Sequence, residues 1–109
     1  MSLIAQKFYS IGARLQAKKC RANGVSDGHI ARVFEAVASV DRNLGNASDD
    51  DIRLTFFQSF ESYAIDPATI MLIVQLCLLV YKALKAAGYF EQAEGFQSVA
   101  NARSIIGEI

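Results

Sequence analysis

Apolar residues in the first segment recur at Ile4, Phe8, Ile11 and Leu15, the four-three-four spacing that lines one face of a helix. The spacing predicts a helix over about residues 2–22. Asn23-Gly24 follows, and a glycine just past the last turn takes the left-handed conformation that ends a helix. A second segment repeats the pattern at Ile30, Val33, Phe34, Val37 and Val40. It opens on Ser26, an N-cap residue, and Asp27, which complements the positive end of the helix dipole. That helix is expected to run to about residue 42, with a turn over Leu44–Ala47.

Ser48, with Asp51 three positions on, resembles a capping box and starts a third helix. Its expected buried face is Ile52, Phe56, Phe60 and Tyr63, with Phe57 beside it, and it should stop near Ala64. Asp66-Pro67 is the sharpest boundary, since aspartate caps well and proline suits the first helical position. From Ala68 to Tyr81 the chain is apolar on every side except at Thr69 and Gln75. A helix of that kind has to be covered all round. The last segment, Tyr89 to Ile106, carries two weaker stripes, one of Phe90, Ala93, Phe96 and Ala100, the other of Val99, Ala102 and Ile106. Gly95 weakens its middle by about 1 kcal/mol relative to alanine.

These elements predict an all-α fold, a compact bundle of about five helices around a central hydrophobic helix at about 67–87. One proline in 109 residues and 52% hydrophobic content agree with a single helical domain over 1–109. Four modest helices are barely enough to cover a fully apolar fifth, so an open face on the central helix would call for a partner, most simply another copy.

The net charge is zero, but it is segregated. Residues 1–26 carry Lys7, Arg14, Lys18, Lys19 and Arg21 with no acid, whereas residues 27–66 carry eight carboxylates against three arginines. The first segment is therefore expected to lie against something acidic, either its own middle or a neighbour. Lys7, Arg14, Lys18 and Arg21 form a stripe beside the apolar face of the first helix and are the candidate interaction surface. An acidic protein face, an anionic lipid surface or a phosphate backbone would each attract it. The absence of any basic surplus disfavours nucleic acid.

Little else carries chemistry. His29 is the sole histidine, which leaves no histidine pair for a metal and only one candidate base for a catalytic triad. Asp49-Asp50-Asp51 fits a capped acidic helix start better than a calcium loop. Cys20 and Cys77 lie too far apart in sequence for a metal or redox motif, although the cations around Cys20 would favour a thiolate. No phosphate-cradling or dinucleotide motif is present, so neither a catalytic site nor a cofactor is expected. The apolar run from Ala68 to Tyr81 falls short of the about 20 residues of a membrane span, and insertion is not favoured. The opening residues lack a secretory pattern, which points to the cytoplasm or an intracellularly assembled particle. The expected function is a non-enzymatic structural or protein-interaction subunit of a homo-oligomer or larger assembly such as a virus particle. A membrane protein and a nucleic-acid-binding module are the alternatives.

Overall fold

The computed structural model describes residues 3–40, 44, 47–91, 98–107 and 109. Five α-helices form in chain order: α1 (Leu3–Ala22), α2 (Asp27–Ala38), α3 (Asp49–Phe60), α4 (Pro67–Ala86) and α5 (Val99–Ile106), with a 3-10 turn at Tyr89–Glu91 between the last two. The predicted caps are made. Ser26 accepts from the His29 amide, Ser48 from the Asp51 amide, and Asp66 from the Thr69 amide with Pro67 at the first turn. Gly24 and Gly88 take positive φ where α1 and α4 end.

α4 is the centre of the bundle. Ten of its residues are buried, and α1, α2, α3 and α5 all pack against it. Ile73, Val74, Leu76, Cys77, Val80, Ala83 and Leu84 are fully enclosed. The surrounding helices therefore do cover it, and Met71 is its one exposed large apolar side chain. α1 lies close along α4 for much of its length, so the apolar surface left open on the central helix is confined to the neighbourhood of Met71.

α1 achieves that closeness by an orientation opposite to the expected one. Its buried residues are Ser10, Ala13, Ala17 and Cys20, while Ile4, Phe8, Ile11 and Leu15 point outward. At 3.6 residues per turn the two stripes lie about 170° apart. Interaxial distance is set by the side chains at the contact, so a face of small residues brings the backbones together. A Cβ added at Gly12 would already sit 3.4 Å from Leu79 Cδ2. Gln16 Nε2 and the Cys20 thiol both donate to the Leu72 carbonyl of α4, at 3.1 and 3.4 Å, fixing the register.

α2 buries Ile30, Val33, Phe34 and Val37 as predicted, with Val40 half-buried, but ends at Ala38 where Ser39 turns its hydroxyl back to the Glu35 carbonyl. α3 buries Ile52, Phe56 and Phe60 and stops there, so Tyr63 lies beyond the helix and is partly exposed. The expected continuous helix from Tyr89 to Ile106 is shorter. α5 begins only at Val99, capped by Ser98, and buries Ala102 and Ile106 while Ala100 faces outward. Gly95, Ala93 and Phe96 lie outside the described residues, as do residues 41–43 and the two middle residues of the predicted turn, whose ends are joined by the Ala47 amide donating to the Leu44 carbonyl at 3.0 Å. α5 is fastened by Arg103 over the Phe34 ring at 4.6 Å, and the Tyr89 hydroxyl donates to the Ser98 carbonyl just before it at 3.1 Å.

The orientation of α1 makes opposite predictions for its two stripes. Ala17→Leu is expected to lower the unfolding free energy by about 1–3 kcal/mol through overpacking against α4. Leu15→Ser should stay within about 0.5 kcal/mol in urea titrations of dilute protein. The reverse ranking would place the large stripe in the core.

Candidate interaction surface

The outward face of α1 is built from Ile4, Phe8, Ile11 and Leu15, with Leu3 at its start. Ile4 is 84% exposed, Phe8 69% and Leu15 61%. Single exposed apolar residues are ordinary on a folded surface, but a contiguous stripe of them on one helix is not. The stripe runs about 16 Å from Ile4 to Leu15 at 1.5 Å rise per residue.

The four cations expected beside it divide into two kinds. Arg14 donates to the Ile106 carbonyl at 2.6 Å, satisfying the C-terminal end of α5. Arg21 pairs with Asp27 at 3.0 Å and donates to the Ile109 carbonyl at 2.9 Å. Both arginines thus tie α1 to the end of the chain. Lys7 and Lys18 are exposed on the same flank of the stripe, and Lys19 is exposed on the other. Beside the Arg14 tether lie two depressions of about 320 and 330 Å³ along the α1 flank. One is lined by Ile11, Leu15 and Lys18 among others, the second by Leu3, Lys7 and Ile11.

A second, smaller apolar surface lies across α3 and α4. Leu54 is 58% exposed and Met71 49%. Together with Phe57 and Val74 they line a shallow depression of about 230 Å³ edged by Asp50 and Arg53. It has room for a side chain rather than for the small-molecule ligands that occupy about 300–1,000 Å³.

The acidic middle of the chain does little to neutralise α1. Arg21 with Asp27 is the one ion pair made by α1 among the described residues, while Asp49 is held by Lys82 of α4 at 2.8 Å and Asp50 by Arg53 at 2.9 Å. Asp51, Glu61 and Asp66 face outward. Hydrogen bonds from Thr69 hold the Asp66 carboxyl below the usual carboxylate range. The segregated charges read from the sequence are therefore used in part within the fold, and Lys7, Lys18 and Lys19 on one side and Asp51, Glu61 and Asp66 on the other remain displayed on the surface.

The remaining candidates assemble no chemistry. His29 is half-buried in an edge-to-face contact with Tyr63, ring centroids 5.5 Å apart. At Cys20 burial pushes the thiol up, outweighing the pull of Arg21 and Lys19. Burial pushes Cys77 further up, with Cys20 adding to the effect. Among the described residues no group of three or more His, Cys, Asp or Glu is placed to hold a metal ion. α4 has 20 residues, longer than its all-apolar stretch, and is long and apolar enough to cross a membrane by length and composition. Here it is the helix on which the others pack.

The geometry defines an all-helical bundle that displays an apolar, lysine-flanked helix face. No protein-family model, curated protein or solved structure matches the chain.

The outward stripe escaped sequence reasoning because periodicity alone marks two faces on α1. One clue was present: Ser10, Ala13, Ala17 and Cys20 follow the same helical spacing with small side chains.

Both thiols are pushed up in the folded chain, so folding favours their protonated form. Stability should be full below about pH 8.5, where unfolded thiols remain protonated, and should fall as the pH rises past that value. Urea midpoints followed through that range are expected to drop in the wild type. The drop should be smaller in the Cys20→Ala, Cys77→Ala double variant.

Proposed function

We propose that the chain is a non-enzymatic helical subunit that works by protein–protein contact, as part of a homo-oligomer or larger multi-copy assembly. The observation that carries this reading is the apolar stripe of α1, turned to solvent although the same helix has a second face that packs the core. Each large apolar side chain gains about 1.5–3 kcal/mol when fully covered. A folded monomer that already covers its central helix has no structural need for this stripe. Lys7 and Lys18 beside it supply charge that steers and orients an acidic partner.

Lipid is the second reading, favoured by one specific feature: α1 contains no acid, and lysines stand on both sides of its apolar stripe. That arrangement suits a helix lying in an anionic membrane surface. Nucleic acid is less well served, because Arg14 and Arg21 are committed to the α5 end and to Asp27.

Sedimentation equilibrium at about 10 µM, the range of moderate protein affinities, is expected to show a species larger than the monomer. The Phe8→Glu, Ile11→Glu variant should sediment as a monomer with unchanged helical circular dichroism. Flotation with phosphatidylserine vesicles separates the two readings: a wild type that stays monomeric and floats with the vesicles would replace assembly by membrane binding.

A further inference from the structure

We infer that the assembly is head-to-tail, with the outward face of α1 in one copy seated on the outward face of α3 and the adjoining Met71 of α4 in the next. This rests on the assembly reading and specifies the partner as a second copy of the chain.

The two surfaces are complementary in shape. α1 offers a row of projecting side chains centred on Phe8 and Ile11. The α3–α4 surface offers a shallow depression floored by Leu54, Phe57, Met71 and Val74, of a size to receive one such side chain. These are the two places where large apolar residues stand exposed on helices among the described residues.

They are also complementary in charge and in spacing. The exposed row of α3 reads Asp51, Leu54, Gln58 and Glu61, an acid at each end and an apolar residue between. It lies opposite the buried Ile52, Phe56 and Phe60. The exposed flank of α1 has Lys7 and Lys18 at the ends with Ile11 and Leu15 between. At 1.5 Å per residue the lysines are about 16 Å apart along their helix and the acids about 15 Å along theirs. Both ends of the contact are therefore able to pair at once. The α1 face carries no acid, and the single cation of α3, Arg53, is already shared between Asp50 and Gln75, so neither face opposes a like charge.

An α1-to-α1 dimer would set Lys7, Lys18 and Lys19 of one copy near those of the other, with no acid on either face. The two faces of the favoured contact lie on different elements, so each copy keeps one of each kind free. Such a contact is heterologous and propagates into a ring or an open filament.

Mixing two variants tests this. Variant one, Phe8→Glu with Ile11→Glu, destroys the α1 face and leaves the α3–α4 face. Variant two, Leu54→Glu with Met71→Glu, does the reverse. All four positions are exposed, and circular dichroism verifies that each variant is folded. Analytical ultracentrifugation is expected to show each variant alone as a monomer, with self-affinity lowered at least about tenfold. An equimolar mixture should form a 1:1 heterodimer that grows no further, because its outer faces are both broken. If variant two alone still associates like the wild type, the head-to-tail contact is wrong while assembly through α1 stands. If the wild type is itself monomeric throughout, the assembly reading fails and this inference with it.

Discussion

Everything in this bundle follows from α4, a helix whose apolar residues run round most of its circumference and bury half of its length in the core. Burying it requires neighbours on most sides, and among the described residues four other helices supply them. The longest of these, α1, packs on α4 and turns inward Ser10, Ala13, Ala17 and Cys20, residues small enough for helix backbones to approach closely. Large side chains on α4 fill the space that α1 leaves, as Leu79 does beside Gly12. Close packing of large against small is what gives a protein interior its density.

The consequence lies on the other side of the same helix. Because the small face is turned inward, Ile4, Phe8, Ile11 and Leu15 have no place in the core of the monomer. The tethers made by Arg14 and Arg21 to the chain's end hold α1 in this rotation. Core packing and surface display are thus two aspects of one orientation, and the candidate interaction surface is a product of how the fold is stabilised. The charges follow the same division: those near α5 and α2 are used internally, and Lys7 and Lys18 remain for an external partner.

The all-helical class, the caps at Ser26, Ser48 and Asp66, the stops at Gly24 and Gly88 and the central place of α4 were legible in the sequence. Each depends on local chemistry or on a hydrophobic pattern without a competing solution. The rotation of α1 was not legible, because a helix with a large apolar stripe and a small apolar stripe has two possible inward faces. Choosing between them depends on the shape of α4, which is a tertiary property. The cationic stripe was visible as a set of residues, but its division into tethers and exposed lysines required knowing where Ile106 and Ile109 lie. The α3–α4 surface was missed for a similar reason, since Leu54 and Met71 are single residues on separate helices that meet only in the fold.

Methyl NMR with a soluble gadolinium chelate probes the rotation of α1 directly. In dilute protein the methyl signals of Ile4, Ile11 and Leu15 should broaden strongly while those of Ala13 and Ala17 remain sharp, and the first group should become protected as concentration rises. Strong broadening of Ala13 and Ala17 with Ile11 and Leu15 sharp at every concentration would contradict the account, since the large stripe would then be the face that packs on α4.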